Sequence, residues 1–205
     1  MKPILLNTEM VRAILDGRKT ATRRVVKHPY YIDNEELCRA SGYAMRCGDK
    51  DTDGMPYPDA PYEPGDILYV RETWTTTPNG QDYLFKADAD GNAVKDRSGN
   101  WHVPKWRPSI HMPAEAARIF LRVTDVRVER LQEIDGAGAE AEGAIEINNT
   151  MIREDKVTFD AYGRKMFAVL WEATVGEAKR VKYGWAANPW VWVIEFERCG
   201  RPKEG

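Results

Sequence analysis

Gly17-Arg18-Lys19-Thr20-Ala21-Thr22-Arg23-Arg24 gathers one lysine, two threonine hydroxyls and three arginines into a single short stretch. A helix is predicted just before it. After Pro3 to Leu6, Asn7 supplies an N-cap, Met10, Val11, Ile14 and Leu15 recur at helical spacing, and Gly17 is placed to end the helix. Basic residues leaving a helix C-terminus are favoured by the partial negative charge there, which accounts for the patch without any chemistry. The same residues also suit an anion. A buried Lys19 can lose its proton and so activate the Thr22 hydroxyl, while Arg24 can grip a phosphate or carboxylate through its fork of N–H donors, with Arg18 and Arg23 beside it.

Working outward, Lys27 to Glu63 shows no sustained period and many Asp, Gly, Pro and Tyr residues, and reads as a long loop insertion. Pro64-Gly65-Asp66 signals a turn, and Ile67 to Trp74 is rich in strand formers, which predicts one core strand. Tyr83 to Ala87 followed by Asp90-Gly91-Asn92 predicts a hairpin returning towards Trp101 and Val103. Between Arg118 and Leu131, Ile119, Leu121 and Val123 share one face, and Val126 and Val128 resume with shifted parity. A bulge is therefore expected at Thr124-Asp125. Asp135 can cap a short helix ending at Gly143, whose last turns carry Glu140 and Glu142. Carboxylates there oppose the helix dipole, and a locally unfavourable placement is a candidate for function. Phe159, Tyr162, Met166, Phe167, Leu170 and Trp171 form a helical core stripe, and Trp190 to Phe196 reads as a strand covered on both faces.

Thirty basic against thirty-two acidic residues give a formal charge of −2, so bulk electrostatics exclude a protein that coats nucleic acid. Any nucleic-acid contact must come from a local patch. Length and composition fit one domain, 1–205, with insertions at about 27–63 and 88–106. Cys38, Cys47 and Cys199 are odd in number and hold no C-x-x-C pair, and no secretory signal or membrane-spanning run is evident; a cytoplasmic protein is expected.

G-x-K-x-x-T-x-R after a first helix, met here by Gly17, Lys19, Thr22 and Arg24, resembles the signature of ASCH domains of the PUA-like superfamily. The resemblance extends to Pro64-Gly65-Asp66, to the Ile119 to Leu131 strand leading into Ala139-Glu140-Ala141-Glu142-Gly143, and to the closing Ile194-Glu195-Phe196. It is strongest with the longer, phage- or prophage-associated members. It implies an α+β fold built on a PUA-like mixed or antiparallel β-barrel with flanking helices and long loop insertions. The function implied is binding of RNA or a modified nucleoside in a basic cleft. In small bacterial members it also implies hydrolysis of acetylated cytidine, with Lys19 as base, Thr22 as nucleophile and Glu142 orienting the base or passing a proton. RNA cleavage is a related possibility, and a third is a phage-associated protein-interaction module whose acidic insertions meet a partner. An apolar patch near Tyr57 to Tyr62 would mark that third case.

In such a fold Arg71 and Glu72 would lie at the cleft, either lining it or forming an exposed ion pair. Trp74, Arg107 and His111, with Trp106, Ser109 and Met112, have the mix of aromatic, cation and imidazole found in base-stacking or phosphate-contacting loops; most of the seven tryptophans should nevertheless be core. No cofactor is implied. Asp49 to Gly54 opens like a calcium loop but reaches Ala60 at the twelfth position, and His28, Cys38 and Cys47 match no closed zinc pattern, so no metal is expected.

Overall fold

The computed structural model describes residues 1–27, 60–144 and 155–202. Lys2–Leu5 forms β1 and Thr8–Leu15 forms α1. The Asn7 side chain accepts the Met10 N–H at 2.8 Å, satisfying one of the donors that a helix start leaves open. Gly17, at φ 76°, turns the chain out of α1 in a left-handed conformation that a side chain would resist, and the chain enters β2, Ala21–Val25.

The chain continues through β3 (Ile67–Arg71), β4 (Trp74–Thr76), β5 (Tyr83–Phe85), β6 (Val94–Lys95), β7 (Trp101–His102) and β8 (Phe120–Arg130). Then come α2 (Gly136–Ala141), α3 (Lys156–Thr174), α4 (Arg180–Tyr183) and β9 (Trp190–Cys199). Five strands make one sheet in the order β1-β3-β8-β9-β2, parallel between β1 and β3 and antiparallel elsewhere. This is a mixed α+β fold. Thr124 is the extra residue where the β8–β9 register slips between Val123 and Asp125, at the change of parity in the sequence.

No ladder joins the edge strands β1 and β2. They nevertheless come within reach of one side chain, because Arg24 on β2 donates to the Leu5 carbonyl on β1 at 3.0 Å. Strands β1, β3, β8 and β9 turn Ile4, Leu68, Leu121 and Ile194 into one core, which Val26, the residue after β2, and Val11 and Ile14 of α1 complete. A second core lies on the opposite face, where Phe167 and Trp171 of α3 pack with Leu131, Ile134, Val191 and Val193. Strand β9 is thus buried on both sides, as its near-continuous apolar run requires. Helices α2 and α3 cross at glycine: a Cβ on Gly163 would stand 2.7 Å from Gly136 Cα.

Two predicted elements differ. Ile67 to Trp74 is not one strand, because the Glu72 N–H goes to the Met112 sulfur at 3.2 Å instead of to a neighbouring strand. Beyond that break β4 leaves the main sheet and pairs with β5, so the partner of Tyr83–Phe85 is Trp74–Thr76 and not Trp101 to Val103. The latter segment belongs to a separate hairpin, β6 with β7, closed by the turn from Asp96 to Asn100. Residues 28–59, which hold most of the first insertion together with Asp49 to Gly54, His28, Cys38, Cys47 and Tyr57, lie outside the described residues. Tyr62 is partly buried and donates its hydroxyl proton to the Pro3 carbonyl at 2.8 Å. Among the described residues, no helix is long and apolar enough to cross a membrane.

Candidate functional site

The α1–β2 connection docks against the end of α2. Arg18 and Lys19 close α1 by giving their backbone N–H groups to the Ala13 carbonyl, and the Thr20 N–H goes to the Ala141 carbonyl at 2.8 Å. This satisfies an acceptor that the end of α2 would otherwise leave open. Gly143, at φ 72°, turns the chain so that Glu142 points back under the connection.

There Lys19 and Glu142 meet with side-chain exposures of 0% and 3%. Lys19 Nζ lies 2.6 Å from Glu142 Oε2, 3.0 Å from the Glu142 carbonyl and 2.6 Å from the Ala21 carbonyl, so each donor of the ammonium has an acceptor. Burial pulls the Lys19 pKa below its ordinary value; Glu142 opposes that shift, and Arg24 and Arg23 reinforce it. The Glu142 carboxylate also accepts from Arg23 Nη1 at 3.4 Å. Two cations thus compensate a carboxylate that the helix dipole disfavours.

Strand pleating sends Arg23 to one face of β2 and Thr22 and Arg24 to the other. Arg23 is buried, bonded to Glu142 and to Glu129 at 3.2 Å, with its guanidinium 5.6 Å from the centre of the Phe167 ring. All of its ionic partners are internal. Thr22 is 1% exposed, and its Oγ1 accepts from Arg24 Nη1 at 3.1 Å; the three acceptors of Lys19 do not include it. The structure therefore brings Lys19 to Glu142 and Arg24 to Thr22. Arg24 is only partly buried, held by Thr22, the Arg23 carbonyl and the Leu5 carbonyl, and forms no ion pair with any described carboxylate. Arg18 pairs with Asp16 at 2.9 Å at the surface.

Sequence reasoning missed the continuation of this network. Arg127 bonds Glu129 at 2.6 Å and Asp125 at 2.9 Å, and Glu195 joins them from β9, which holds the Arg127 guanidinium well above its usual range. The alternation of Asp125, Arg127 and Glu129 along β8 was the available signal.

The other candidates form a second group across β3 and the loop 107–112. Glu72, buried, takes a two-pronged contact from Arg118 Nε and Nη2 at 2.9 and 3.0 Å, so it is not in an exposed pair with Arg71. Desolvation pushes its carboxyl up despite that arginine. Arg118 also bonds Asp88 at 2.6 Å and lies over the Phe85 ring at 4.1 Å. Arg71 donates through Nη2 to the Ile110 carbonyl. Trp74 is buried, its backbone pairs with Arg107 in both directions, and the Arg107 guanidinium lies 5.2 Å from its ring centre. His111 is exposed at the end of the 3₁₀ turn Ser109–His111. The two groups flank one residue: Arg24 donates to the Leu5 carbonyl, and Arg71 is the register partner of Leu5 on β3. Among the described residues, no group of three or more His, Cys, Asp or Glu is arranged to hold a metal ion.

No protein-family model and no curated protein matches the chain. Among solved structures it is similar to the crystal structure of protein EF3133 from Enterococcus faecalis V583, family-model DUF984, with a TM-score of 0.37 and 12% identity over 92% of this chain. The match covers 66% of that protein, slightly less than two thirds of its length.

Proposed function

We propose that this chain is an ASCH-type module of the PUA-like fold, and that the cleft between the two sheet edges binds RNA or a modified nucleoside. The observation that carries this reading is the state of Arg24. It is a partly buried arginine whose desolvation lowers its pKa, braced by Leu5 and Thr22 at the meeting of β1 and β2, with no carboxylate partner among the described residues. A braced arginine of this kind suits a phosphate or a polar base edge. Of the signature residues, Thr22 lies beside Arg24 there while Lys19 turns to Glu142, and a sheet whose edges are bridged by a side chain is compatible with the PUA-like barrel that the resemblance implies.

A second reading is favoured by the burial of Lys19, which cannot serve as a phosphate contact but suits proton transfer. Hydrolysis of an acetylated cytidine would use Thr22 Oγ1 to form a bond to the acetyl carbon, with its proton passing to neutral Lys19. The C–N bond would break as the leaving amine takes a proton, and water would then release acetate from Thr22. Glu142 would accept the proton that Lys19 must first give up. Chromatography after incubation of acetylcytidine and a short RNA with the wild type, Lys19→Ala and Thr22→Ala separates the readings. Product from the wild type that is absent with both variants establishes the hydrolase. Saturable binding without product leaves a reader, and neither product nor binding removes both.

A further inference from the structure

Among the described residues three buried side-chain donors have no hydrogen-bond partner: Arg23 Nε inside the Glu142 network, and Arg71 Nε and Trp74 Nε1 on the successive strands β3 and β4. Such groups are rare and costly in folded proteins, and each calls for an acceptor that the chain itself does not supply. The latter two are fastened to the same loop, Arg71 through the Ile110 carbonyl and Trp74 through its backbone exchange with Arg107. The Arg107 guanidinium lies over the indole, is exposed, and forms no ion pair with a described residue. Exposed His111 completes the loop. β3, β4 and this one loop thus carry donors and cations close together in the fold. Of the acids on the neighbouring segments, Glu72 is taken by Arg118, and Glu115 accepts from the hydroxyl of Tyr83, whose ring lies 5.8 Å from that of Trp74.

We infer that Arg71, Trp74 and Arg107 form a phosphate subsite, separate from the Arg24 cleft and reached from it across Leu5. A phosphate offers several acceptor oxygens to Arg71 Nε, the indole N–H and the Arg107 fork, and its charge is balanced by two guanidiniums; because both orphan donors are sealed from solvent, it enters as the loop 107–112 lifts from Arg71 and Trp74. The strand geometry makes the subsite a second contact for a ligand already held at Arg24. Only this connection rests on the nucleoside reading above; the phosphate subsite itself does not.

The test is a ¹⁵N-resolved titration of the full chain with inorganic phosphate, with chloride at matched ionic strength and with a short single-stranded RNA. The Trp74 indole signal is assigned by its loss in Trp74→Phe. Phosphate, but not chloride, moves that signal saturably; Arg71→Gln and Arg107→Gln each weaken the response about tenfold or more, while Arg122→Gln, at an exposed arginine paired with Glu197, leaves it unchanged. A Trp74 signal unmoved by phosphate, or a response untouched by both arginine substitutions, overturns the subsite. A phosphate response with none to RNA supports the subsite for a small phosphorylated ligand and counts against the RNA reading of the Arg24 cleft.

Discussion

Lys19 and Glu142, 123 residues apart in sequence, meet as a buried pair with Nζ 2.6 Å from Oε2. The contact ties the α1–β2 connection to the end of α2, and Arg23 extends it to β8 through Glu129. Neither charge has water to fall back on. Removing one partner strands the other, whereas removing both does not.

That asymmetry predicts the outcome of a double-mutant cycle followed by urea unfolding. Glu142→Ala costs about 3–5 kcal/mol because Lys19 is left buried and unpaired. Lys19→Met combined with Glu142→Ala costs less than the sum of the single changes, by about 1–3 kcal/mol. Simple additivity would show that the pair is not coupled.

The α2–α3 crossing positions Glu142 and has no room for a methyl group. In Gly163→Ala the new Cβ would stand 2.7 Å from Gly136 Cα, a backbone atom that moves only with its helix. A loss of about 1–3 kcal/mol is expected, read as a lowered urea midpoint. Gly176→Ala is the control, since a Cβ there meets nothing within 4 Å at φ −60°, and it should shift stability by no more than about 0.5 kcal/mol.

On the β6–β7 hairpin, His102 Nε2 lies 2.9 Å from Asp96 Oδ2, and the Asn100 backbone N–H also bonds Asp96. These donors lower the Asp96 pKa from 3.8 to about 2. Because the folded value lies below the unfolded one, the unfolded chain takes up the proton first. The stabilisation from Asp96 is complete above about 3.8 and is lost as the pH falls towards about 2. Carboxyl NMR should place the titration of Asp96 near the lower value, and His102→Ala should move it back towards the ordinary range. An Asp96 that titrates at its ordinary pH in the wild type would contradict the hairpin geometry.

Much of this could be read from local rules. The Asn7 and Asp135 caps, the left-handed glycines 17 and 143 and the Thr124 bulge each follow from neighbours a few residues away, and so does the unfavourable placement of Glu142. Partner choice across the sheet could not be read in this way. The sequence places Arg71 next to Glu72, but pleating turns adjacent residues to opposite faces, and Glu72 finds Arg118, 46 residues on. The same rule divides Arg23 from Thr22 and Arg24, so a patch that reads as continuous is split between a buried network and the sheet edge. The departure of β4 depended on the Met112 sulfur taking the Glu72 N–H, a contact with no trace in periodicity.

The most direct test of the central claim is calorimetric titration of a short single-stranded RNA, and of cytidine and acetylcytidine, into the wild type and into Arg24→Gln, with both first shown to be folded by circular dichroism. Saturable binding of at least one of these by the wild type, weakened about tenfold or more in Arg24→Gln, is the predicted result. No binding by the folded wild type, or equal binding by Arg24→Gln, would contradict the assignment of the cleft.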